Sequence, residues 1–133
     1  MSTLLKSAAV LLIVLAVGYV LFSRFATGGE EMTPDRFVAA YEPGDVLIDA
    51  RTSREYDASH LAGAIHLDVL DSDFRERAED LPRDRRVYIY CASGHRSGRA
   101  AGILEAMGFP AVYNVGGMDA LAAAGAEVEI PAR

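Results

Sequence analysis

The sequence has one cysteine, one lysine and no tryptophan in 133 residues. A single cysteine makes no intrachain disulfide, which excludes a disulfide-stapled scaffold. Nor does it supply a multi-cysteine zinc site, and His60, His66 and His95 lack ligand spacing such as His-x3-His. No metal site is therefore expected. Positive charge is also scarce. Twelve arginines and Lys6 face 19 acidic residues, for a formal net charge of −6. An acidic surface repels phosphate backbones, so nucleic acid is not an expected partner. No internal repeat is evident, and the length suits one domain.

Charge is missing altogether from Ala8 to Phe22, a run of fifteen residues. Fifteen helical residues reach about 22 Å, short of a hydrocarbon core of about 30 Å. Counting from Leu4 to Phe25 gives about 33 Å, with Lys6 and Arg24 snorkelling to the interfaces. On that count residues 1–25 are expected to form a single-pass transmembrane anchor in contact with membrane lipid. A cleaved signal peptide is the rival, with Ala16-Val17-Gly18 as the cleavage site. Cleavage there would leave Tyr19-Val20-Leu21-Phe22 exposed at the new end, which favours the anchor. Basic residues flank both sides, so the side of the membrane stays open.

Residues 26–32, with Gly28-Gly29 and two acids, read as a linker, and residues 33–133 as the folded domain. Thr33-Pro34 is an N-cap followed by proline at the first helical position. The apolar runs 45–49, 64–67, 87–90 and 111–115 are expected as strands. Helices are expected near 54–57, over 71–79, over 97–107 and after Gly116-Gly117. Gly108 and Pro110 stop the 97–107 helix. Short strands alternating with helices predict an α/β fold around a mostly parallel sheet. Gly116 and Gly117 suit a turn requiring positive φ, since no Gly-x-Gly-x-x-Gly follows the first strand.

Cys91 ends the third of these strands, at the carboxyl edge where open α/β sheets bind ligands. A free cysteine is often a small buried hydrophobe, and that alternative has to be weighed. The next six residues argue against it. Ala92, Ser93, Gly94 and His95 let successive backbone N–H groups turn inward, and Ser97 starts a helix whose first donors are unpaired. Arg96 adds a permanent positive charge. Such surroundings lower a thiol pKa and favour the nucleophilic thiolate. Asp49 and Arg51 end the first strand on the same edge. Their structural reading, with Arg51 paired to Glu55 and Asp49 fixing a loop, is preferred over anion attraction. His95 reads as a solvent-facing loop residue.

The run Cys91-Ala92-Ser93-Gly94-His95-Arg96-Ser97 resembles the active-site loop of single-domain rhodaneses, Cys-x-x-Gly-x-Arg-Ser/Thr. "LIDARTSREYDASHLAGAIHL" and "VYNVGGMDALAAAG" resemble further motifs of that family, in the same order, over nearly all of residues 33–133. Ser59 and Leu121 depart from it, standing where the family often has glycine and tryptophan. The resemblance implies a rhodanese-like domain with a mostly parallel central sheet flanked by helices. It implies sulfur transfer through a Cys91 persulfide, from thiosulfate to cyanide or a thiol, with Ala92 to Ser97 binding the donor and with no metal or organic cofactor. Two other classes share the features. A cysteine phosphatase or arsenate reductase uses the same thiolate-and-anion-loop logic, and a non-catalytic module would dock a partner at the membrane. Phosphatases place the arginine six positions after the cysteine; here it comes at five.

Overall fold

Branched and aromatic residues form the central strands of the sheet, and the stretches between them form helices. The computed structural model describes residues 2–26 and 29–132, with side chains described for 7–20 and 29–132. In chain order the elements are α1 (Ser2–Ala26), β1 (Glu30–Glu31), α2 (Pro34–Ala40), β2 (Val46–Asp49), α3 (Ser53–Ala58), β3 (His60–Leu61) and β4 (Ile65–His66). After these come α4 (Phe74–Ala78), β5 (Val87–Cys91), α5 (His95–Ala106), β6 (Val112–Gly117), α6 (Met118–Ala123) and β7 (Val128–Glu129).

Five strands pair in the order β1-β6-β5-β2-β4, every pair parallel. From β2 the chain moves outward to β4, then returns to lay β5 on the opposite side of β2. That reversal opens a crevice at the carboxyl ends of β2 and β5, the usual binding position of such sheets. Cys91 stands there. Side chains alternate across the sheet. Val46, Ile48, Val87, Ile89 and Val112 pack on one face against Ala100, Ala101 and Leu104 of α5. Leu47, Tyr88, Tyr90 and Val115 pack on the other against Phe37 and Leu121. The expected strands and the mostly parallel sheet are present.

Three readings need correction. Among the described residues no helix is long and apolar enough to cross a membrane, which overturns the single-pass membrane localisation expected for residues 1–25. The uncharged run alone falls short of a bilayer core. The longer count leaned on Lys6 and Arg24, whose side chains lie outside the described residues. The segment 26–32 is more than a linker: Glu30 and Glu31 extend the sheet beside Tyr113 and Asn114, while residues 27 and 28 lie outside the described residues. The 97–107 helix begins two residues early, at His95, because Gly94 already caps it. Its stop is as expected. Gly108, at φ 91°, sends its N–H to Glu105 O and Phe109 sends its own to Leu104 O, a Schellman ending.

Candidate active site

Parallel strands end with their carbonyls toward one edge, and whatever follows must turn. After β5 the turn is made by Gly94, held at φ 94° as the residue before α5. That left-handed conformation is open to glycine and rare for other residues. A side chain there would also meet Gly116 Cα at 3.2 Å. Cys91 is fully buried beneath the turn. Gly94 N–H donates to its Sγ at 3.0 Å, and Ser97 Oγ–H donates at 3.4 Å. Burial pushes the Cys91 thiol up. The Ser97 hydroxyl and the N–H groups of Ser97, Ser93 and Gly94 outweigh it, so the thiol lies below its ordinary value. Donors converging on one sulfur stabilise a thiolate and, equally, a sulfur anion bonded to it.

The seven residues of the loop occupy distinct places. Ala92 and Ser93 are exposed at the mouth, His95 is exposed at the first turn of α5, and Ser97 is fully buried beside the sulfur. Arg96 turns to Glu55. Its two terminal nitrogens donate to the two carboxylate oxygens at 2.8 Å each. The same Glu55 closes a capping box on α3, accepting from Thr52 N–H at 3.0 Å and Thr52 Oγ1–H at 2.8 Å. Arg96 chiefly, with Thr52 behind it, pulls Glu55 down to about 2 against a burial effect of opposite sign. The Arg96 charge is thus fastened in place rather than free over the thiol.

Asp49 and Arg51 are not brought to the sulfur. Asp49 pairs in register with Tyr90 and shares the sheet face of Leu47 and Tyr88, whereas Cys91 continues the face of Val87 and Ile89. Arg51 pairs with Asp49, not with Glu55 as expected: Nη2 lies 2.7 Å from Oδ2 and Nε 2.9 Å from Oδ1. Tyr90 O–H donates to Asp49 at 2.6 Å, and Arg51 donates to Ser59 O. The pair fastens the turn after β2.

Residues 33–124 match the family model of the rhodanese-like domain. The chain belongs to the rhodanese-like family. A thiosulfate sulfurtransferase, GlpE of Pseudomonas fluorescens, is 35% identical to it over 88 residues, which are 66% of this chain and 79% of that one. The uncharacterised YqhL of Bacillus subtilis is 35% identical over 86 residues, 65% of this chain and 66% of that one. The crystal structure of a rhodanese-like domain protein from Staphylococcus aureus has a TM-score of 0.64 at 27% identity, covering 77% of this chain and 99% of that one. Two other relatives are far longer: the chain spans 36% of a putative sulfur carrier protein, YrkF of B. subtilis, and 18% of a tRNA sulfurtransferase of Desulfurococcus amylolyticus. The rhodanese-like fold follows.

Three residues around the rhodanese-like loop escaped the sequence. Glu55 holds Arg96 rather than Arg51, and Thr52-x-x-Glu55 carries a capping-box signal. Asn114 and Glu31 carried none. Gly117 is needed for a reason other than positive φ: its own φ is −96°, but a Cβ would lie 2.6 Å from Ala92 O, so β6 closes against the loop only without one.

Proposed function

We propose that the chain moves a sulfane sulfur from thiosulfate, or a similar small donor, to a thiophilic acceptor through a persulfide on Cys91. The convergence of Gly94 N–H and Ser97 Oγ on Sγ carries this reading. The thiolate attacks the outer sulfur of thiosulfate, the donor's S–S bond breaks, and sulfite leaves with the bonding pair. Cys91 then holds the terminal sulfur as an anion facing the loop's N–H groups, an oxyanion-hole type of stabilisation. Cyanide or a thiolate attacks that outer sulfur and departs with it, which returns the Cys91 thiolate. Splitting the transfer in two avoids any direct meeting of donor and acceptor. The name of the P. fluorescens relative supports thiosulfate as a donor. The pairing of Arg96 with Glu55 speaks against a phosphatase, whose loop arginine has to face the phosphoryl oxygens.

The test is mass spectrometry of the purified chain after thiosulfate treatment. One added sulfur is expected on Cys91, and Cys91→Ser is expected to fold yet to lose thiosulfate:cyanide transfer. Turnover by a folded Cys91→Ser protein, or hydrolysis of aryl phosphates faster than thiosulfate is consumed, would overturn the reading.

A further inference from the structure

Asn114 is 3% exposed, and all four hydrogen-bonding positions of its amide are taken. Oδ1 accepts from Ser97 Oγ–H at 2.7 Å and from Gly116 N–H at 3.2 Å. Nδ2 donates to Gly94 O at 3.0 Å and to Glu31 Oε1 at 2.9 Å. Two of these partners, Ser97 and Gly94, are the residues whose donors reach the Cys91 sulfur. The register of β6 brings the amide there. Asn114 pairs with Ile89 just as Val112 pairs with Val87, and the bulge follows it, with Gly116 opposite Tyr90 and Val115 as the extra residue. Asn114 therefore shares the face of Ile89 and Cys91, under the start of α5. Gly98 makes room, since a Cβ on it would lie 3.2 Å from Nδ2.

We propose that Asn114 is the positioning residue that aims Ser97 Oγ and the Gly94 turn at the Cys91 sulfur. The Ser97 hydroxyl has one proton and two acceptors, Sγ and Asn114 Oδ1. A neutral thiol is a weak acceptor, so the amide oxygen holds the proton while Cys91 is protonated. When the sulfur carries charge, the bond to it becomes charge-assisted and the proton turns to Sγ. Gly116 N–H still serves Oδ1, so no buried polar atom is orphaned in either state. Through Nδ2 the same amide grips the carbonyl of Gly94 and keeps the turn closed over the sulfur.

The inference rests on Cys91 working as an activated thiolate. It is tested by the pH dependence of Cys91 alkylation with iodoacetamide, which needs no sulfur donor, so its failure is distinct from failure of the transfer reaction. Asn114→Asp keeps the shape, removes the Nδ2 donor and holds the Ser97 proton more tightly. Its alkylation midpoint is expected to rise by about one pH unit, a rate about tenfold lower at pH 7. In a Ser97→Ala background the shift from Asn114→Asp is expected to shrink by at least about half, because no proton is left to redirect. An undiminished shift would reveal charge repulsion alone and overturn the proposal. Asn114→Thr, an uncharged residue suited to a strand, gives a second reading. It too is expected to raise the midpoint. A folded Asn114→Thr protein that melts earlier with an unmoved midpoint would reduce Asn114 to a structural role.

Discussion

Asp49 has no exposed surface, and Arg51 is only 7% exposed. Taking one charge of such a pair away leaves the other stranded without water, which costs about 3–5 kcal/mol. Arg51→Met is therefore expected to lower the unfolding free energy by about that amount in urea titrations. The folded fraction should keep its Cys91 alkylation rate, because the pair lies on the face opposite the sulfur. A large loss of alkylation without loss of stability would return Arg51 to the site. Residues whose chemistry is local were legible in the sequence: Cys91, Gly94 and Ser97 announce a loop by their order and spacing. Asn114 was not, because its place beside Ser97 depends on how β6 and α5 pack together, a contact between residues 17 apart in sequence. The partner of Arg51 was misread for a related reason, since sequence distance does not say which of two nearby acids shares its sheet face.

The short helix α3 is tied to the loop by one side chain. Glu55 caps its own helix through Thr52 and holds Arg96 from the start of α5. Its pKa of about 2 lies below the ordinary 4.5, so the pair contributes stability that is fully present above about pH 4.5 and disappears as pH falls towards 2. Melting temperature measured from pH 5 down to pH 2.5 should fall less steeply in Glu55→Gln than in the unmutated chain, and identical slopes would contradict the assignment. At this scale the sequence also showed why some elements are legible. The helix at 95–106 has an apolar stripe, a glycine before it and a Schellman ending after it. The two-residue strands β1, β3 and β7 have no length in which a period of two can register, and only their neighbours reveal them. Glu30 and Glu31 are exposed and charged, the opposite of a strand signal.

The whole molecule carries 19 acids against 13 basic residues, and Arg96 of the loop and Arg51 after β2 are both bound to carboxylates. The proposed anionic donor would therefore approach through a repulsive field that salt screens, with a Debye length near 30 Å at 0.01 M and about 8 Å at 0.15 M. The value of kcat/KM for thiosulfate should rise between those two ionic strengths, whereas reaction of the loaded chain with an uncharged sulfur acceptor should not. A fall with salt would place an unpaired positive patch at the mouth. The borders of the sheet have a consequence of another kind. Exposed strand edges recruit further strands, and a molecule that ends its sheet on long apolar edges seeds aggregates. Here one border is Glu30–Glu31 and the other Ile65–His66, each two residues long. A second molecule docking on the acidic border would gain two residues of ladder and set like charges side by side. Replacing Glu30 with valine takes away half of that charge without touching Asn114. Such a protein should scatter more light on prolonged heating below its melting temperature, and equal scattering would show that brevity alone protects the edge.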